Sequence, residues 1–256
     1  MEPRRDQPIP TVVAATRAEM GRHAARHVVD LLTSALAAQP RVRVVFACAP
    51  SQDEFLAALV EFAAGVVDWS RVDAFHMDEY IGLGARHPAN FRTYLRRHLL
   101  DRVPLGSFSE IRGESPDPAA EAARYAALLA AAPIDLICLG IGENGHIAFN
   151  DPPVADFADP ARVKVVQLDH ACRQQQLNDG CFPTLDAVPK QALTLTIPVF
   201  LEAKHLSVVV PGMRKAQAVA AACNGPISNR CPASILRTHP SVRLFLDEFS
   251  ALQLNG

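Results

Sequence analysis

The sequence lacks the features that mark secreted, membrane-spanning or zinc-binding proteins. None of its six cysteines stands in a C-x-x-C pair, which argues against a zinc site. The N-terminal residues are charged and lead into no apolar segment, which argues against a signal peptide. No apolar run is long enough to span a membrane. We therefore expect a reduced, cytoplasmic protein without a membrane partner.

The chain also lacks an excess of either charge. Its 25 basic and 27 acidic residues leave a net charge of −2, so nothing favours a nucleic acid as partner. With 49% hydrophobic residues, the chain holds enough apolar material for a sizeable core. A length of 256 residues fits one large α/β domain better than two small domains.

Apolar segments of strand type alternate with helical segments along the chain. The predicted strands lie at 42–48, 72–76, 134–139, 163–168, 193–197, 206–210 and 242–246. This alternation predicts a doubly wound, mostly parallel sheet with helices on both faces, a Rossmann-like α/β fold. We expect residues 1–10, which include three prolines, to form a loose arm, and residues 11–256 to form one catalytic domain. The polar segment 169–190 is expected to act as a lid.

Polar residues follow the first two of these strands. Ser51 and Gln52 open the next helix, whose N-terminus could bind an anion. Ser51 and Glu54 also have the spacing of a capping box, so an ordinary capped helix remains equally open. Asp78 and Glu79 follow the strand at 72–76. Because adjacent side chains point in different directions, one of them, rather than the pair, could be a general base with a pKa raised by burial.

A glycine-rich loop with one histidine follows the strand at 134–139. Gly142 and Gly145 would let the backbone approach a ligand. His146 can gain or lose a proton near neutral pH, and Asp151 or Asn144 could bind its second ring nitrogen. One histidine is too few for a convincing metal site, and the glycines match a dinucleotide fingerprint poorly.

These motifs resemble those of a known family. Residues 75–83 (FHMDEYIGL) and 139–150 (LGIGENGHIAFN) closely resemble the signatures of the glucosamine-6-phosphate deaminase (isomerase) family. The related 6-phosphogluconolactonases share the fold and part of the second signature. Segments 188–194, 212–216 and 231–240 resemble further motifs of the deaminases. The resemblance covers roughly residues 10 to 248, and the motifs are long and in the same order.

The resemblance implies roles for matching positions. Asp78 would be the base that moves a proton between C2 and C1 of an opened amino sugar, and His146 would open the pyranose ring. Asp151 and Asn144 would orient His146, although Asp151 is one methylene shorter than the glutamate that the family has there. Lys215 would bind the 6-phosphate. The reaction would convert glucosamine 6-phosphate into fructose 6-phosphate and ammonia without a cofactor.

The resemblance also implies a set of substrate-binding residues. Arg173 is the candidate for an arginine that the family's lid places on the phosphate. The loop at 48–52 has few of the Thr, Gly and Ser residues that the family uses for phosphate. The expected substrate-binding residues are Ser51, Gln52, Glu79, Gly142, Gly145, Arg173 and Lys215. A homo-oligomer remains an alternative to a monomer.

Two other functions remain open. In the same fold, His146 could activate water on a sugar-phosphate lactone, making the protein a hydrolase. Asp78 argues against this function, because lactone hydrolysis needs no base at C2. A non-catalytic protein that binds a sugar phosphate is the second alternative, and the altered loop at 48–52 favours it.

Overall fold

The computed structural model describes residues 6–152 and 154–254, which fold into two sheets and the helices around them. The strands are β1 Thr11–Ala14, β2 Val42–Phe46, β3 Val72–His76, β4 Asp78–Tyr80, β5 Ser107–Ser109, β6 Leu136–Leu139, β7 Val163–Gln167, β8 Gln191–Leu195, β9 His205–Val210 and β10 Val242–Asp247. The α-helices are α1 Arg17–Ala38, α2 Asp53–Ala63, α3 Phe91–His98, α4 Pro118–Ala130, α5 His170–Asn178, α6 Ile197–Glu202 and α7 Ala216–Asn224.

The main sheet has seven strands in the order β1-β10-β9-β6-β2-β3-β5, and every neighbouring pair is parallel. From β2 the chain adds strands towards one edge of the sheet, and from β6 it adds them towards the other edge. The strand order therefore reverses between β2 and β6, which is where open α/β sheets bind ligands. The predicted fold class is confirmed.

Helices cover both faces of the main sheet because its strands are apolar on both faces. Val44 and Phe46 of β2 pack in one cluster with side chains of α1 and α2. Val45, between them, packs in a second cluster with side chains of α4 and α7. The alternation along one strand thus divides the core into two layers.

A second sheet of three antiparallel strands, in the order β4-β8-β7, was not expected. Segments 163–168 and 193–197 were predicted as strands of the parallel sheet, but the strands they form lie in this second sheet. Hydrophobic pattern identifies a strand without identifying its neighbours, which explains the error. The prediction was also wrong at Ile197, which begins α6, because the following proline fits the first turn of a helix.

The first two helices begin differently. Thr16 caps α1, since its hydroxyl accepts from the backbone N–H of Glu19 at 3.1 Å. The capping box of Ser51 and Glu54 was wrong. A 3-10 turn, Pro50–Gln52, precedes α2, and no side chain caps the N-terminus of this turn or of α2. Glu54 instead pairs with Arg17 at 2.9 Å.

The described part of the predicted arm contacts the body of the protein. Residues 1–5, with Pro3, lie outside the described residues. Ile9 is buried, and Asp6 forms an ion pair of 2.8 Å with Arg237. Among the described residues, no helix is both long and apolar enough to cross a membrane.

Candidate active site

A cleft opens where the strand order reverses, at the carboxyl ends of β2, β3 and β6. Each of these strand ends contributes a loop, and α5 and the start of α7 contribute from outside the sheet. The polar side chains that line it are Ser51, Gln52, Asp78, His146, Gln175, Gln176 and Lys215.

His146 lies at the end of the glycine-rich loop, with one ring nitrogen held from behind. Its Nδ1 lies 2.7 Å from Oδ1 of Asn144 and 3.0 Å from Oδ1 of Asp151. Asn144 also donates from Nδ2 to Asp151 at 2.8 Å, so the three side chains form a closed triangle. Neither Asn144 nor Asp151 is among the described residues that line the cleft. The arrangement leaves the opposite edge of the imidazole for a ligand.

Asp151 is almost fully buried beside this histidine. Burial alone would raise the pKa of its carboxyl group, but the charge and hydrogen bond of His146 and the hydrogen bond from Asn144 hold that pKa below its ordinary value. Asp151 is therefore ionised at neutral pH. Its short side chain reaches Nδ1 of His146 at 3.0 Å.

Two glycines allow the loop to fold around His146. A Cβ on Gly142 would overlap the imidazole ring, so only glycine fits there without moving the ring. Gly145 has φ +83°, a conformation that side chains other than glycine rarely adopt. Gly142 lines the cleft, whereas Gly145 packs against Cys231 behind it.

Asp78 lies where the chain leaves the main sheet for the second sheet. The carbonyl oxygen of its neighbour Met77 accepts from the N–H of Leu195 at 2.8 Å. Asp78 itself lies opposite Thr194 in the antiparallel pair of β4 and β8. The side chain lines the cleft but is only 7% exposed. Burial, together with the nearby charge of Glu79, raises the pKa of Asp78 well above its ordinary value. A carboxylate with a raised pKa is a stronger base when ionised.

Glu79 points away from the cleft and is not among the described residues that line it. Its carboxylate accepts from the backbone N–H groups of Tyr80, Phe91 and Arg92 at 3.0–3.1 Å. Burial raises its pKa to about 7, although these hydrogen bonds oppose the shift. Glu79 therefore ties the strand that carries Asp78 to the first turn of α3.

The expected phosphate end of the cleft combines one cation with neutral donors. Lys215 is largely buried, and burial lowers its pKa while Asp179 and Glu143 oppose that change. Ser51 and Gln52 face the same space. The side-chain amide of Gln52 donates from Nε2 to the carbonyl oxygen of Val209 at 3.3 Å.

Helix α5 contributes two glutamines to the cleft, and neither was expected from the sequence. Arg173 donates to the backbone carbonyls of Leu185 and Val188 at 2.6 and 3.1 Å, and it is not among the described residues that line the cleft. Gln175 and Gln176 line the cleft instead. Their spacing from the buried Cys172, three and four positions, is the helical signal that could have identified this face.

An arginine connects α5 to the loop of His146. Arg214 pairs with Asp179, at the end of α5, at 2.6 Å, and with Glu143 at 3.3 Å. Gln175 also accepts from the N–H of Glu143 at 2.9 Å. Segment 169–190 is thereby joined to the glycine-rich loop and to the turn that carries Lys215.

One group of side chains here could hold a metal ion. Ligand atoms of His146, Asp151 and Cys172 all lie within 4.8 Å of one another, and all three residues are buried. His146 and Cys172 are far apart in the chain, so the sequence alone does not indicate that they lie together.

Comparison with known proteins identifies the family. The sequence profile described as glucosamine-6-phosphate isomerases/6-phosphogluconolactonase matches residues 15–244. A glucosamine-6-phosphate deaminase of Exiguobacterium sibiricum is 38% identical over 189 residues, which are 74% of this chain and 73% of that protein. One from Streptomyces avermitilis is 38% identical over 204 residues, 78% of this chain and 76% of its own.

Solved structures support the same assignment. A monomeric glucosamine-6-phosphate deaminase superposes with a TM-score of 0.87 and 28% identity, covering 96% of this chain and 100% of its own. The 6-phosphogluconolactonase of Trypanosoma brucei, at TM-score 0.77 and 20% identity over 98% of this chain and 100% of its own, shares the fold. The chain belongs to the family of glucosamine-6-phosphate isomerases and 6-phosphogluconolactonases.

Proposed function

We propose that the protein converts glucosamine 6-phosphate and water into fructose 6-phosphate and ammonia. The observation that carries the proposal is the cleft itself, which brings a buried carboxylate, a histidine held by a carboxylate, and a lysine to one space. These are the groups that an aldose–ketose isomerisation of an amino-sugar phosphate needs. The likeness to curated deaminases supports the same reaction.

His146 opens the sugar ring in this proposal. Its free ring edge faces the cleft, where it can move a proton from the C1 hydroxyl to the ring oxygen. Asp151 and Asn144 fix the ring orientation through Nδ1 and stabilise the imidazolium when it forms. Their place behind the histidine makes them positioning residues, without contact to the sugar.

Asp78 then acts on the open chain. Ionised Asp78 removes the proton at C2 and returns it to C1. In the same isomerisation the amine loses a proton and O1 gains one, so the C1 carbonyl becomes a hydroxyl and a carbon–nitrogen double bond forms at C2. Water adds to that imine, and the carbon–nitrogen bond breaks to release ammonia. The reaction is thus an isomerisation coupled to hydrolysis. Burial of Asp78 favours the proton transfer, because it makes the carboxylate more basic.

The phosphate end binds through one charge and several neutral donors. We propose that Lys215 pairs with the 6-phosphate, while Ser51 and Gln52 donate to its oxygens. Gln175 and Gln176 take the place on α5 that Arg173 was expected to fill. Segment 169–190 serves as the lid over a single domain, 11–256. We also infer a cytoplasmic enzyme, and leave a homo-oligomer as an alternative to the monomer.

An ammonia-release assay tests the proposal. Purified protein is incubated with glucosamine 6-phosphate, with other amino-sugar phosphates and with unphosphorylated glucosamine. Ammonia and fructose 6-phosphate should appear together from glucosamine 6-phosphate, at a far lower rate without the phosphate. A parallel assay follows hydrolysis of a sugar-phosphate lactone. Lactone hydrolysis without ammonia release would replace the proposal with the hydrolase, and binding without either reaction would indicate a non-catalytic protein.

A further inference from the structure

We propose that His146, Asp151 and Cys172 form a binding site for a thiophilic divalent cation of the Zn²⁺ class, which inhibits the enzyme from behind the catalytic histidine. The proposed reaction uses His146 and Asp151 for acid–base chemistry, but it uses neither Cys172 nor a cation. The inhibition rests on the proposed function, whereas the binding itself does not.

The geometry brings three different donors together from two parts of the chain. Their ligand atoms lie within 4.8 Å of one another, and each residue is at most 8% exposed. Apart from the neighbouring thiol, Oδ2 of Asp151 has no hydrogen-bond partner among the described residues, although it is buried. A buried carboxylate oxygen in that position is a ready ligand.

The thiol is held in place by the start of α5. Asp169 caps this helix, and its carboxylate accepts from the N–H of Cys172 at 2.6 Å. This contact fixes the first turn of α5, and with it the side of the helix on which Cys172 faces Asp151. Oδ1 of Asn144 lies beside this group, 2.7 Å from Nδ1 of His146.

The donor set selects the kind of cation. Thiolate sulfur, imidazole nitrogen and carboxylate oxygen are the ligands of four-coordinate Zn²⁺. Mg²⁺ and Ca²⁺ require oxygen ligands and would not compete for this site. Binding releases the thiol proton to solvent. The imidazole proton at Nδ1 moves to Nε2, so that Nδ1 can coordinate the cation.

The position of the site determines the form of the inhibition. Asp151, Cys172 and Asn144 are not among the described residues that line the cleft, so the cation leaves the space for the sugar free. With Nδ1 on the cation, the imidazole keeps one proton on Nε2 and cannot exchange it during ring opening. Inhibition should therefore lower kcat and leave KM almost unchanged.

The test uses Co²⁺ as a visible probe and Zn²⁺ as the inhibitor. One equivalent of Co²⁺ added to the reduced wild-type protein, without substrate, should give the absorption of a cobalt–thiolate bond. Cys172→Ser should lose that absorption and weaken Zn²⁺ binding about tenfold or more. Cys181→Ser, which changes a cysteine of the same segment outside the group, should behave as the wild type. Asp151→Asn should also weaken binding, and it keeps the thiol.

Each outcome decides the proposal. Equal binding by the wild type and Cys172→Ser, or inhibition that raises KM alone, would overturn it, as would comparable inhibition by Mg²⁺. A cobalt–thiolate spectrum in a protein that releases no ammonia would uphold the cation site while refuting the proposed function. Ammonia release that Zn²⁺ leaves unchanged would uphold the proposed function and overturn the proposed inhibition.

Discussion

Gly142 is the residue at which the smallest change should most disturb the proposed acid–base group. A methyl group there would overlap the imidazole of His146, and the histidine must rotate or the loop must shift. Because a displacement of about 1 Å can cost about 100-fold in rate, we expect Gly142→Ala to lower kcat by that order. Steady-state kinetics on glucosamine 6-phosphate measures the effect.

Gly84→Ala is the matched control, since a Cβ there has no atom within 4 Å. It should leave kcat and the melting temperature unchanged. If Gly142→Ala kept the wild-type kcat, the orientation of the His146 ring would not limit the reaction.

As the pH rises, ionisation of the Asp78 side chain should lower the free energy of unfolding. Its pKa is raised in the folded protein, so the ionised side chain costs free energy above the ordinary aspartate pKa and nothing below it. Each unit of pKa shift corresponds to about 1.4 kcal/mol, and 1 kcal/mol changes Tm by about 2–4 °C. Asp78→Asn should therefore raise Tm at pH 8 and have little effect at pH 3.5.

The exposed Asp101→Asn provides the comparison for this measurement. Its Tm should follow that of the wild type at both values of pH. A lower Tm for Asp78→Asn at pH 8 would mean that the charge at residue 78 stabilises the fold, contrary to its burial.

Part of the site could be predicted from single residues and part could not. The spacing of His146 and Asp151 predicted their contact, because both lie in one short loop. Glu79 and Arg173 were expected at the substrate, yet both side chains bind backbone groups away from the cleft. A motif gives the type of residue, whereas the helix or strand decides the direction of its side chain.

Arg214 is the contact through which segment 169–190 should remain closed over the cleft. Exposed ion pairs contribute about 0.2–1 kcal/mol each, so the loss of both pairs should weaken substrate binding modestly. We expect Arg214→Gln to raise KM about 2–5-fold with little change in kcat. Hydrogen exchange across 170–178 should become faster in the same variant.

Arg162→Gln removes an ion pair of similar exposure, with Glu202, in another part of the protein. Its KM and its exchange in α5 should match the wild type. Unchanged exchange and KM in Arg214→Gln would show that the two ion pairs do not hold the segment.

At the level of elements, the sequence predicted the central strands well. β2, β3, β6 and β9 are mostly apolar, and nearly every residue in them is buried, which is typical of parallel strands covered on both faces. β1, β4, β5 and α6 were missed, since all four are short and contain polar residues. The second sheet depends on contacts between segments distant in the chain, which local pattern does not record.

The whole molecule should unfold as one unit. The two sheets are joined directly at residues 76–78, and Leu193 of the second sheet packs in the same apolar cluster as Ile137 of the main sheet. Because these layers share a core, we expect one cooperative transition in urea by fluorescence and by circular dichroism. Two separate transitions would indicate two domains in place of the single domain that the sequence predicts.

In the proposed reaction, Asp78 moves the proton at C2 of an amino-sugar phosphate. The most direct measurement follows the deuterium of glucosamine 6-phosphate labelled at C2, by NMR, during turnover. The wild type should remove deuterium from C2 as ammonia appears. Asp78→Asn should bind the sugar, as calorimetry measures, but lose the deuterium about 10²–10⁴-fold more slowly. If Asp78→Asn lost deuterium at the wild-type rate, Asp78 would not be the base that removes the proton at C2.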